Sequence, residues 1–218
     1  MDGTRIVLVR HGESRAQELG IVGGHRGCRG LSERGRLQVE ALRDRWKATG
    51  ELGDVAALYA SVMPRAVETA EILAPAVGDP EVVPECTFCE HHPGEGDGLP
   101  WEEFERRYPV VADDWDPDLR RDPGGETYRE MAARVAGGLD RLVERHAGET
   151  VVVASHGGVI VHSLIRWLLG ENRDQRGWLS PENTSITEWR FGPSPFARGA
   201  LPWELVRFND RAHLLGFA

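Results

Sequence analysis

The chain has 218 residues, 40% of them apolar, and a formal net charge of −9. That length suits one domain with a core of its own. The acidic balance, with no cluster of Lys and Arg, argues against nucleic acid or an anionic membrane as a partner. Three cysteines, Cys28, Cys86 and Cys89, make no disulfide framework. The opening apolar run Ile6–Val9 is too short for a secretory signal, and no stretch approaches the ~18 apolar residues of a membrane span. The expectation is a cytoplasmic protein.

Arg5–Val9 reads as a buried strand that runs into a loop at Gly12. Ser32 is a candidate N-cap for a helix with Leu37, Ala41, Leu42 and Trp46 on its apolar face. Val55–Ala60 is a second strand. Pro64 then suits a first helical position, followed by a stripe of Ala66, Ala70, Leu73 and Val77. The stretch from about 86 to 125 is rich in Gly, Pro, Trp and acidic residues. It reads as an excursion over the sheet, with a short helix near Trp101–Arg107. Thr127 or Glu126 opens a long helix carrying Tyr128, Met131, Ala132, Val135, Leu139 and Leu142 at a 3.6-residue period. Thr150–Ala154 is the strongest strand signal, followed by a helix from about Gly158 to Leu169. Late strands are expected at Ser185–Phe191 and Trp203–Phe208. Strands alternating with helices predict an α/β fold. We expect a three-layer α/β/α sandwich around a mostly parallel sheet, residues 1–218 forming one domain with a lid-like excursion over the carboxyl ends of the strands.

In open α/β sheets, ligands bind outside those carboxyl ends. Arg10-His11-Gly12-Glu13 follows one strand directly and Ser155-His156-Gly157-Gly158 follows another. Arg65 lies in the first helical turn after a third. Two His and two Arg thus converge on one crevice. A phosphoryl group carries about two negative charges, which guanidinium forks match. A neutral imidazole of His11 can attack phosphorus, splitting one hard displacement into two. A protonated His156 would donate to the phosphoryl oxygens. Glu90, at the start of the excursion, is placed to protonate the leaving alkoxide.

Together these residues resemble the histidine phosphatase superfamily, the branch that includes cofactor-dependent phosphoglycerate mutases. The resemblance spans nearly the whole chain. It includes Arg10-His11-Gly12-Glu13-Ser14, Leu31-Ser32-Glu33-Arg34-Gly35 with Gln38, Ser61 to Ala66, and Thr69-Ala70. Glu90, Gly94, Glu95, Gly98 and Leu99 follow, then Gly124-Gly125-Glu126 and Arg134. Ser155 to Gly158, Asn183 to Thr187, Asn209-Asp210 and His213-Leu214 complete it. The resemblance implies His11 as phosphoacceptor, Arg10, Arg65 and His156 as the rest of the phosphate pocket, and Glu90 as proton donor. It implies no metal and no other cofactor. Gln17, Gly24, Arg26 and Gly157 are the candidate substrate-binding positions.

The departures from the mutases favour hydrolysis. Mutases follow the acid with Arg and, two residues later, Tyr; here the stretch is Glu90-His91-His92-Pro93. Mutases carry Asn where Gln17 stands, and the excursion here is acidic at Glu95, Asp97, Glu102 and Glu103. The expected activity is hydrolysis of a small-molecule phosphate ester, with a 2,3-bisphosphoglycerate-dependent mutase as the alternative and a non-catalytic interaction protein as a remote one. A homodimer is admitted. His25, Arg26 and Arg29 border the pocket as candidates for a second anionic group, and Trp101 and Trp115 are candidates to line its far end or to anchor the excursion. Cys86-Thr87-Phe88-Cys89 has zinc-like spacing, with His91 and His92 nearby. A strand there would point the two thiols to opposite faces, so ordinary packing is expected.

Overall fold

Apolar residues alternate along the central strands and sort onto two faces of one sheet, as a doubly covered sheet requires. A computed structural model describes residues 3–110, 116–170, 179–192 and 203–217. β1 (Thr4–Arg10) lies at the centre and pairs in parallel with β4 (Thr150–Ser155). β4 pairs in parallel with β2 (Ala57–Ala60), and β2 with β3 (Val82–Pro84). On the other side of β1, β5 (Ile186–Phe191) runs antiparallel, and β6 (Trp203–Asp210) pairs antiparallel with β5. The order is β3-β2-β4-β1-β5-β6.

Among the described residues six α-helices accompany the sheet: α1 (Arg15–Glu18), α2 (Glu33–Thr49), α3 (Pro64–Leu73), α4 (Trp101–Arg107), α5 (Tyr128–Arg145) and α6 (Gly157–Leu164). Val7, Val9, Leu58, Ala60, Val152 and Ala154 face α2 and α3, packing on Val39, Leu42, Trp46 and Leu73. Ile6, Leu8, Tyr59, Val151 and Val153 face α5 and α6, packing on Val135, Leu139, Leu142 and Ile160. Each fully buried aliphatic side chain here contributes roughly 1.5–3 kcal/mol. Ser32 caps α2 through its hydroxyl, and Thr127 caps α5 in a reciprocal box with Glu130.

Several local expectations change. Leu37 is 50% exposed; the buried stripe of α2 is Gln38, Val39, Leu42 and Trp46, one step round the helix. Strand β2 begins at Ala57, not Val55, and β3 was not foreseen because three residues carry no period. Pro75 ends the helical stripe, so Val77 lies beyond α3, after a 3₁₀ turn at Ala74–Ala76. The last expected helix passes into a π turn at Ile165–Leu169. Among the described residues no helix is long and apolar enough to cross a membrane.

Candidate active site

The sheet register brings the two histidines together. Arg10 of β1 is opposite Ser155 of β4, so His11 and His156 leave the sheet side by side. Their ring centroids are 5.0 Å apart, edge to face. Arg65 enters from the first turn of α3, above β2 and therefore next to β4. Gly12 lets α2 approach: a Cβ there would meet the Gly35 carbonyl oxygen at 2.4 Å.

The hydrogen bonds fix both imidazole tautomers. Arg65 has only donors. Its Nε donates to His11 Nε2 at 3.1 Å and its Nη2 lies 3.2 Å from His156 Nδ1. Both ring nitrogens must therefore accept. In His11 the proton sits on Nδ1, 2.6 Å from the Gly12 carbonyl oxygen. The Nε2 lone pair is engaged by the Arg65 Nε–H in this structure, and His11 lines the cavity. In His156 the proton sits on Nε2, 2.8 Å from Ser61 Oγ. Burial holds both imidazoles well below the ordinary histidine pKa, and the Arg65 charge adds to the effect. The donor role open to a protonated His156 is disfavoured in this structure, where its Nδ1 accepts from Arg65 and burial lowers its pKa.

Arg65 is 4% exposed. Its third nitrogen, Nη1, donates to the Gly23 carbonyl oxygen at 2.7 Å. Arg10 donates through Nη1 to the Pro181 carbonyl oxygen, and its buried Nε has no partner among the described residues. Burial lowers the Arg10 pKa, against a raising field from Glu90. Among the described residues neither guanidinium is in an ion pair with a carboxylate. A buried and a half-buried cation without a carboxylate partner among the described residues, one with an idle N–H, suit an anion.

Glu90 follows a 3₁₀ turn at Cys86–Phe88. Its carboxylate accepts from the backbone N–H of His91 at 3.1 Å and of Gly158 at 3.0 Å. A Cβ on Gly158 would stand 2.1 Å from Glu90 Oε1, so this approach requires glycine. Arg10, His11, Arg65 and Glu90 line one cavity of about 590 Å³, walled on its far side by Trp101, Phe104, Val110, Leu119 and Tyr128. A second cavity of about 830 Å³ opens at the amino-terminal ends of the strands, lined by Arg5, Asp54, Glu149 and Arg190, with neither histidine in it.

The sequence model of the histidine phosphatase superfamily (branch 1) matches residues 6–201. The chain belongs to the histidine phosphatase superfamily. This superfamily member is 34% identical over 160 residues to a metal-independent phosphoserine phosphatase of Arabidopsis thaliana, covering 72% of this chain and 66% of that one. The chain thus spans about two thirds of that curated relative. Among solved structures, YhfR of Bacillus stearothermophilus matches with a TM-score of 0.81 at 25% identity, over 97% of this chain and 99% of that one. A phosphoserine phosphatase of Entamoeba histolytica, solved with phosphoserine, matches with a TM-score of 0.70 at 25% identity, over 97% and 99%.

Within this histidine phosphatase fold the expected substrate positions divide. Gln17 and Gly24 line the cavity, and Gly157 borders the Arg10 guanidinium. Arg26 does not line the cavity. It donates to the Gly94 carbonyl oxygen at 2.9 Å and its backbone N–H to Asp97; His25 and Arg29 are also outside the lining. None of these three candidates for a second anionic group is among the residues lining the cavity. Trp101 lines it, and Trp115 lies outside the described residues. Two residues had no role in the sequence reading. Ser61 Oγ is the partner of His156 Nε2, and Asn183 donates to the His11 carbonyl oxygen at 2.9 Å. Their positions after β2 and before β5, at the same end of the sheet, are the signal that would have found them.

Proposed function

We propose that this histidine phosphatase hydrolyses a small phosphomonoester through a phosphohistidine at His11. One observation carries the reading: an accepting imidazole nitrogen beside the buried Arg65 and half-buried Arg10 guanidiniums, neither of which pairs with a carboxylate among the described residues. The phosphoryl group sits between Arg10 and Arg65. Arg65 turns its Nε–H from His11 to a phosphoryl oxygen, freeing the lone pair. His11 Nε2 then bonds to phosphorus as the ester P–O bond breaks, and Glu90 gives its proton to the leaving alkoxide. Water next attacks phosphorus, losing a proton to Glu90 as the N–P bond breaks, and inorganic phosphate leaves. The arginines supply the charge stabilisation through both steps.

The Arabidopsis and Entamoeba relatives make phosphoserine the first ester to assay, alongside a chromogenic aryl phosphate suited to the apolar far wall. His11→Ala should abolish turnover of both, and wild type should give an acid-labile, base-stable phosphohistidine. Full activity in His11→Ala would refute the assignment. Hydrolysis is favoured over transfer because Arg121, a cation at the far end, is tied to Glu105 and lies over the Phe104 ring. That leaves it poorly placed to grip a second anionic group. Rapid conversion of 3- to 2-phosphoglycerate with added 2,3-bisphosphoglycerate, with little phosphate release, would make the mutase reading the correct one.

A further inference from the structure

We propose that His25, Cys86, Cys89 and His92 form a tetrahedral Cys2His2 site for zinc, separate from the phosphoryl pocket. Their ligand atoms all lie within 4.8 Å of one another. Cys86 Sγ is 3.6 Å from His92 Nε2 and 4.0 Å from His25 Nε2. A tetrahedron with Zn–S of about 2.3 Å and Zn–N of about 2.0 Å has edges of about 3.3–3.8 Å, so each atom closes on an ion by moving no more than about 1 Å. Two thiolates and two imidazoles in this geometry select zinc among common divalent cations.

The objection from sequence rested on a strand, and the structure removes it. Cys86–Phe88 is a 3₁₀ turn, in which residues three apart project from the same face. The ligands come from two segments that are independently fixed. Asp97 accepts from the backbone N–H groups of Gly24, Arg26 and Gly27, clamping the His25 loop to the excursion. Arg134 donates to the carbonyl oxygens of Cys86, Thr87 and Cys89, holding the turn.

The outer shell also suits a metal. His92 presents Nε2 to Cys86, its backbone N–H donates to the Glu126 carboxylate at 3.2 Å, and its Nδ1 lies 4.0 Å from that carboxylate, close enough for a small ring rotation to make the orienting bond. Ser61 Oγ lies 3.2 Å from Cys89 Sγ and can donate to it. On binding, the two thiols release their protons to solvent and no electron moves. Cys89 adjoins Glu90 in sequence, so the ion would fix the backbone that carries the proton donor without touching the phosphoryl group.

The test uses the full chain, reduced and stripped with a chelator. Titration with Co2+ should give one ion per chain, with thiolate charge transfer and the intense visible bands of tetrahedral cobalt. Equimolar Zn2+ should bleach them and inorganic phosphate should leave them unchanged. Cys86→Ser should lose more affinity than the roughly 10–100-fold typical of an outer-shell change. His25→Ala, on an exposed loop, keeps the test decisive where the cysteine variant fails to fold, and it should weaken binding likewise. An octahedral spectrum, no stoichiometric binding, a Cys86–Cys89 disulfide in place of two titratable thiols, or wild-type affinity in His25→Ala would each overturn the site.

Discussion

Arg65 makes three hydrogen bonds that a lysine cannot reproduce: to His11 Nε2, to His156 Nδ1 and to the Gly23 carbonyl oxygen. A planar fork holds all three directions at once, whereas an ammonium is a point charge on a flexible stem. The guanidinium therefore sets the His11 tautomer in the resting pocket and can then receive the phosphoryl oxygens. Arg65→Lys keeps the charge and loses the geometry. We expect kcat to fall by roughly 10²–10³-fold, the scale of losing an aligned transition-state donor. Steady-state kinetics on an aryl phosphate checks this, and a loss below tenfold would mean that charge alone suffices.

At the scale of elements, Arg134 on α5 ties the start of the excursion to the body of the protein. It pairs with Glu126 at 2.7 Å and donates to carbonyl oxygens of the turn and of Glu90. Arg134→Met should lower stability by roughly 1–3 kcal/mol, because buried acceptors lose their donor, and should reduce kcat/KM as Glu90 loses its placement. Urea unfolding and kinetics measure the two; restored stability with kcat/KM still reduced on adding Glu126→Gln would separate them. The same contact explains what was legible. The central strands were readable because aliphatic runs need no partner to be recognised, and Ser32, Pro64 and Thr127 announce helices locally. His11, Arg10, Arg65 and His156 were readable because strand ends converge in this fold. The turn at Cys86–Phe88 is held by an arginine nearly fifty residues away, so local reading could not tell a turn from a strand there. Leu37 misled because one position in a helix turns a residue by 100°, enough to leave the core. Ser61 and Asn183 act through His156 and His11, and a partner's partner carries no mark in sequence.

For the molecule as a whole, buried histidines couple folding to acid. Burial holds His11 and His156 well below 6.5, and burial together with the Arg45 charge brings His213 down to about 4. Below pH 6.5 the unfolded chain takes up protons at these rings while the folded chain does not. Stability therefore rises with pH between about 4 and 6.5, and is lost as pH falls through that window. Asp210 acts in a lower range: its bond to Arg45 depresses its pKa, so its contribution is present above the ordinary Asp value and is lost below it. The melting midpoint should drop by at least about 5 °C from pH 7 to pH 5. His213→Gln removes one titrating ring, though Thr184 loses its 2.9 Å hydrogen-bond partner on that side chain. That variant should be less stable at pH 7 and show a shallower slope toward pH 5, with His11 and His156 supplying what slope remains. Calorimetry across that range decides: a midpoint that is flat in wild type would contradict the neutral buried histidines. A slope in His213→Gln equal to that of wild type would remove His213 from the account and leave the acid sensitivity to His11 and His156.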